Sequence, residues 1–127
     1  GKRPRSSMAP VIVFGEAGAP VLALGSPGGS RIIPFVVQAL VGVLDWDLDV
    51  QQAVSLPHVA NRNGQTELEE TLRTAEELAT LRAALEGMGH EVWTGDMNSG
   101  LHAIERTEAG TLEGGADPRR AGAALGD

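Results

Sequence analysis

Residues 25–31 read Gly-Ser-Pro-Gly-Gly-Ser-Arg and stand between a stretch that reads as a strand and one that reads as a helix. The adjacent Gly28 and Gly29 permit backbone angles closed to other residues, so the main chain can approach a ligand closely. At a helix start the unpaired N–H groups and the helix dipole favour an anion. Such a loop could hold a phosphate, a carboxylate or the oxyanion of an acyl-transfer intermediate. It could equally be a tight strand-to-helix connection and nothing more. No Lys-Ser/Thr pair follows, which excludes a Walker loop, and the glycine spacing excludes the dinucleotide fingerprint. Upstream, Ser6 and Ser7 offer adjacent hydroxyls that can bond a carboxylate or a backbone group, or simply sit in a solvated loop.

The other candidates read as structural. His58, His90 and His102 are far apart and lack metal-ligand spacing. Asp45, Asp47 and Asp49 alternate, but the glycine and distal glutamate of a calcium loop are missing, so a polar helix-to-helix loop is expected. Residues 114–120 (GGADPRR) carry an Asp-Pro turn signal and two arginines, Arg119 and Arg120, able to clamp carboxylates elsewhere in the fold.

Composition limits the partners. A net charge of -7 argues against nucleic acid, because phosphate binding needs clustered Lys and Arg, and the run Lys2, Arg3, Arg5 is too short to reverse this. The absence of cysteine excludes disulfides and thiol catalysis. The longest apolar run, Ile32–Leu44, is about half a membrane span and contains Pro34, Gln38 and Gly42. No transmembrane segment or signal peptide is expected in this chain. The 127 residues fit one domain or a piece of a larger one, and with aromatics at only 3% the core must be built from Val, Leu, Ile and Ala.

These residues need elements to position them. Residues 11–14 and 20–24 predict a hairpin across a glycine-containing turn. Ser30 is the expected cap of a helix over residues 31–44, apolar nearly all round and therefore expected to be buried. Pro34 falls in its first turn, where the missing N–H does little harm. Asp49 should cap a short helix over residues 50–55, stopped by Pro57. Residues 58–60 read as a short strand and residues 66–70 as an alternating edge strand. Thr74 and Glu77 form a capping box, followed by Leu78, Leu81, Leu85 and Met88 at helical spacing. Residues 91–93 read as a strand, residues 101–106 and 111–113 as a second hairpin, and residues 114–127 as a loop-rich tail. The order suggests α+β layers, with mainly antiparallel strands packed against helices.

Taken in order, the motifs resemble those of one family. Residues 3–10 (RPRSSMAP) resemble the RPxSSMxP stretch of the γ-glutamyltranspeptidases, and residues 25–32 (GSPGGSRI) resemble their GSPGGSRI loop. Gln52-Ala53-Val54 with Pro57 and His58 is similar to the EAVxxPRFH region, though its Arg and Phe are absent here. Residues 115–120 are similar to the closing GxxDPR segment.

The resemblance implies an N-terminal nucleophile hydrolase with an αββα sandwich, made when a precursor cuts itself into a large and a small subunit. The new N-terminal threonine of the small subunit attacks γ-glutamyl amides such as glutathione, and the acyl-enzyme passes the glutamyl group to water, an amino acid or a peptide. Carried across, Ser6 and Ser7 would bond the substrate α-carboxylate, and the Gly28 and Gly29 N–H groups would form the oxyanion hole. The resemblance implies no cofactor and a periplasmic or secreted location. It puts the nucleophile several tens of residues upstream of residues 3–10, whereas Thr66, Thr71, Thr74, Thr80, Thr94, Thr107 and Thr111 all lie downstream. Residues 1–127 are therefore expected to be a C-terminal piece of a small subunit. That piece would need the large subunit and the rest of the small subunit as partners, and would be inactive alone. Relatives include cephalosporin acylases and poly-γ-glutamate depolymerases, so the exact donor stays open. The alternative expectation is a non-catalytic anion-binding module.

Overall fold

The computed structural model describes residues 1–126. The chain divides into two compact units, one formed by residues 1–55 with residues from 98 onward, the other by Leu56–Met97.

The first unit is a four-stranded sheet covered on one face by two helices. Strand β1 (Val11–Phe14) and strand β2 (Pro20–Gly25) form the expected antiparallel hairpin. Its turn closes through Gly15 and Ala19, with Gly18 at φ 75°. A 3-10 turn over Gly29–Arg31 leads into helix α1 (Ile32–Leu44), and helix α2 (Val50–Ser55) follows. The helix starts one residue later than the sequence suggests. Ser30 lies inside the 3-10 turn, Arg31 occupies the cap position, and no side chain caps the helix. The expected burial of α1 also needs correction. Ile32, Phe35, Val36, Ala39 and Gly42 form one buried stripe, while Ile33, Val37 and Leu44 are about half exposed. Helix α2 is capped as expected: Asp49 Oδ1 accepts from the Gln52 N–H at 2.7 Å, and Gln52 Oε1 accepts from the Asp49 N–H at 3.2 Å.

The remaining strands of this unit come from the C-terminal segment, with its other β-strands numbered in chain order below. Strand β3 (Val59–Asn61), strand β4 (Thr66–Glu69), helix α3 (Ala75–Gly87) and strand β5 (Val92–Gly95) belong to the second unit. Strand β6 (His102–Arg106) and strand β7 (Leu112–Ala116) complete the first. The sheet order is β1-β2-β6-β7, antiparallel throughout. Strand β7 runs through Gly114 and Gly115, which the sequence assigns to a loop. A Cβ on Gly115 would stand 2.6 Å from the Val50 carbonyl oxygen, so α2 packs directly on the strand backbone there. The Gln51 side-chain amide closes the contact, donating to the Ala116 carbonyl and accepting from the Ala116 N–H, both at 3.0 Å.

Alternation divides the sheet into two faces. Leu22, Leu24, Ala103 and Gly115 are buried on the helix-covered face. Ile12, Ala23 and Ile104 stand in register across three strands of the other face, together with Phe14 and Leu112. All five are exposed, Leu112 to 72% and Phe14 to 61%, so this face is apolar and uncovered among the described residues.

The second unit is a three-stranded sheet in the order β3-β4-β5. Strands β3 and β4 are antiparallel; β4 and β5 are parallel and joined through α3. Strand β4 is central rather than the expected edge, and all four of its residues are buried, two of them glutamates. The alternating pattern misleads because those carboxylates are paired: Glu67 takes an ion pair from Arg62, and Glu69 Oε2 accepts the His58 N–H at 2.7 Å. Helix α3 carries its capping box as expected, and Glu77 is held below the usual carboxylate range by the Thr74 N–H and then its hydroxyl.

Candidate functional site

Strand β2 ends at Gly25, and the chain reverses into α1 through Ser26, Pro27, Gly28 and Gly29. The geometry demands both glycines. Gly28 has φ 149° and Gly29 has φ 61°, a region that L side chains rarely adopt. A Cβ on Gly28 would lie 2.9 Å from the ring of Phe35, which is 1% exposed and anchors α1. A Cβ on Gly29 would enter open space. The loop therefore turns its second glycine toward a void and its first toward the core.

Ser6 and Ser7 come to the same place. The Ser7 N–H donates to the Gly29 carbonyl oxygen at 3.0 Å, tying the N-terminal segment to the glycine loop. Ser6 is exposed and Ser7 half-buried. Among the described residues, neither serine hydroxyl is engaged in a hydrogen bond, and neither the Gly28 nor the Gly29 N–H is consumed by one. The segment carrying Ser6 and Ser7 thus lies against the glycine loop just ahead of α1, where main-chain donors favour a negatively charged group.

The histidines do not gather. His58 is buried in the second unit, His90 Nδ1 pairs with the Thr66 hydroxyl at 2.9 Å, and His102 is exposed with Nδ1 3.3 Å from the Gly100 carbonyl. Among the described residues no group of His, Cys, Asp and Glu could hold a metal ion, and no helix is long and apolar enough to cross a membrane. Asp45, Asp47 and Asp49 form the helix-to-helix loop, with Asp47 at φ 52°.

A network behind the loop escapes sequence reading. Asp117 is 1% exposed and accepts from the Ser99 hydroxyl, from the Leu101 and Arg119 N–H groups at 2.9 Å each, and from Arg119 Nη1 at 3.0 Å. Burial pushes its carboxyl up, but the hydrogen bonds from Ser99, Arg119 and Leu101 outweigh that, and the group sits below its ordinary value. Arg119 also donates to the Val54 carbonyl at the end of α2, at 3.2 Å. The Asp-Pro pair gave a turn signal; nothing in the spacing marks Ser99 as its partner.

The family model for gamma-glutamyltranspeptidase matches residues 1–127. The chain is 38% identical over 117 residues to the acylase ACY 1 proenzyme of Pseudomonas sp. (strain SE83), covering 91% of this chain and 20% of that protein. It is 35% identical over 127 residues to the glutathione hydrolase proenzyme of Bacillus subtilis (strain 168), covering 98% of this chain and 21% of the relative. The fold is similar to the W525D gamma-glutamyltranspeptidase mutant of Pseudomonas nitroreducens at TM-score 0.83 and 31% identity, covering all of this chain and 65% of that one. The chain spans about a fifth of the length of these two curated relatives.

Proposed function

The chain belongs to the gamma-glutamyltranspeptidase family, and from that premise we propose that residues 1–127 supply half of an acyl-transfer site, the half that stabilises charge. The parent enzyme cleaves γ-glutamyl amides of the glutathione type. A threonine hydroxyl from the upstream part of the small subunit attacks the γ-carbonyl carbon, and the carbonyl oxygen becomes an oxyanion. The Gly28 and Gly29 N–H groups donate to that oxygen. The C–N bond then breaks, the amine leaves with a proton, and the glutamyl group remains as an ester until water, an amino acid or a peptide takes it. The Ser6 and Ser7 hydroxyls hold the substrate α-carboxylate.

The observation that carries this reading is the junction of Ser7 with Gly29, which ties the segment of the two serines to the glycine loop. The uncovered apolar face around Ile12, Ala23 and Ile104 supports the same reading, because a sandwich needs a second sheet there, here assigned to the rest of the small subunit. The family match over all 127 residues favours it over a free-standing anion-binding module. The large subunit completes the enzyme, which matures by self-cleavage and works in the periplasm or outside the cell.

The test is steady-state kinetics of the mature two-subunit enzyme on a γ-glutamyl anilide. Gly29→Ala keeps its N–H, but relief of its φ of 61° moves that donor and the added methyl enters the open space the substrate would use, so kcat should fall by about 10²–10³, the usual effect of losing an oxyanion donor. A kcat unchanged within about twofold, against that expected loss, would make the loop a tight turn only.

A further inference from the structure

Three segments remote in sequence meet at Gly100. Its φ is 60°, and a Cβ there would stand 2.7 Å from Arg120 Cδ and 3.1 Å from Pro27 Cγ. Pro27 belongs to the glycine loop, Gly100 precedes β6, and Arg120 follows β7. Asp117 Oδ2 brackets the turn by taking the Ser99 hydroxyl on one side of Gly100 and the Leu101 N–H on the other. The carboxylate therefore fixes the direction in which the Ser99 carbonyl points. That carbonyl accepts from Ser26 Oγ at 2.7 Å, and the same Oγ lies 2.5 Å from the Pro27 carbonyl oxygen. Ser99 is fully buried while Ser26 is half-buried, so the support is rigid and the supported residue lies on the loop itself.

We propose that Ser99 is a positioning residue for the glycine loop, fixing Ser26 and Pro27, and through them the Gly28 and Gly29 N–H groups. The inference rests on the reading of those two glycines as oxyanion donors. Ser99 touches no substrate. It acts through one hydrogen bond to Ser26, and its own hydroxyl is locked by the buried carboxylate of Asp117. Donors must be held close to where the oxyanion forms to be effective, and loop glycines have few contacts of their own to do this. A support of this kind changes the chemical step and leaves ground-state binding at Ser6 and Ser7 nearly untouched.

The experiment uses the mature full-length enzyme, with rates expressed per mole of correctly self-cleaved protein. The variants are Ser99→Ala, Ser99→Thr, Ser26→Ala, the Ser26→Ala/Ser99→Ala double and Gly29→Ala. Ser26→Ala and Ser99→Ala should each lower kcat about three- to tenfold, the rate equivalent of one hydrogen bond, with KM within about twofold. The double variant should lose no more than the worse single, because Ser99→Ala acts only by misdirecting the carbonyl that the Ser26 hydroxyl bonds, and without that hydroxyl nothing is left to misdirect. Ser99→Thr, which keeps the hydroxyl, should recover most of kcat. If Ser99→Ala fails to mature, Ser26→Ala reads the link from the loop side. An unchanged kcat in Ser26→Ala, or losses that add in the double, overturns the proposal. Loss of kcat in Gly29→Ala with none in Ser26→Ala overturns the positioning role alone. An unchanged kcat in Gly29→Ala overturns both the oxyanion reading and the role that Ser99 would serve in it.

Discussion

The Ser7 N–H and the Gly29 carbonyl are joined at 3.0 Å, although the two residues lie on opposite sides of the β1–β2 hairpin in sequence. The two serines and the two glycines are therefore neighbours in the fold, and in the proposed site they face different parts of a substrate.

Ser6→Ala and Ser7→Ala should accordingly raise KM for a γ-glutamyl anilide far more than they lower kcat. In the proposed role each removes a hydrogen bond to a carboxylate, a charge-assisted contact worth about 1.5–3 kcal/mol, or roughly ten- to hundredfold. The check is a Michaelis curve for each variant of the mature enzyme. A kcat collapse with unchanged KM would move the serines from carboxylate binding to the reacting bond.

Gly28 and Gly29 should separate when replaced by alanine. Gly28→Ala meets the buried Phe35 ring and a disfavoured φ together, and should cost about 2–4 kcal/mol of stability. Gly29→Ala meets open space and should cost only about 1–2 kcal/mol from its backbone angle. Thermal melts of the two variants should therefore rank Gly28→Ala below Gly29→Ala; equal melting temperatures would refute the packing argument.

Gly115→Ala should destabilise the enzyme by about 1–3 kcal/mol through overpacking, because the added methyl must push the Val50 carbonyl and the start of α2 away from β7. Gly110→Ala is the control: it has φ 84° and open space, so it should lose only the cost of its turn geometry. Urea melts with comparable slopes would show the difference, and a larger loss at Gly110 would contradict it.

Two carboxylates should pull stability in opposite directions with pH. Asp117 is depressed in the folded state, so its contribution is present above the ordinary aspartate pKa and is lost as pH falls through the folded value. Glu105 is raised by burial, then by the Glu113 and Asp49 charges, so the native state holds its proton more tightly than the unfolded chain. Stability then falls as pH rises from the ordinary glutamate value through the raised one. Asp117→Asn should flatten the acid side of the stability profile, and Glu105→Gln should flatten the fall just above pH 4.5. Melting temperature across pH 3–7 measures both; parallel curves for the variants and the unaltered protein would refute the assignment.

Local signals in the sequence were dependable where one element satisfies itself. The β1–β2 hairpin, the Thr74–Glu77 capping box and the Asp49 cap all depend on residues within a few positions of each other. Polar groups with distant partners were illegible. Glu67 and Glu69 look like solvent-facing residues of an edge strand until Arg62 and the His58 N–H are seen to satisfy them. Gly114 and Gly115 read as strand breakers, because nothing nearby reveals that α2 lies against β7. At the site, glycine chemistry alone permitted an anion-binding loop, and only the family pattern joined it to Ser6 and Ser7. The link from Ser26 through Ser99 to Asp117 crosses three segments, and no spacing rule reaches that far.

The strand order β1-β2-β6-β7 places a late-synthesised strand at the sheet's centre. As the chain leaves the ribosome, the β1–β2 hairpin emerges before β6, and its open β2 edge finds no partner until His102–Arg106 has been made. Everything between, including the contiguous Leu56–Met97 unit, is translated while that edge waits. A nascent chain stalled in this interval carries an unpaired edge beside the apolar row of Ile12 and Ala23, the combination that recruits chaperones or neighbouring chains. The vulnerable period in the life of this fold is therefore set by the time needed to translate the second unit.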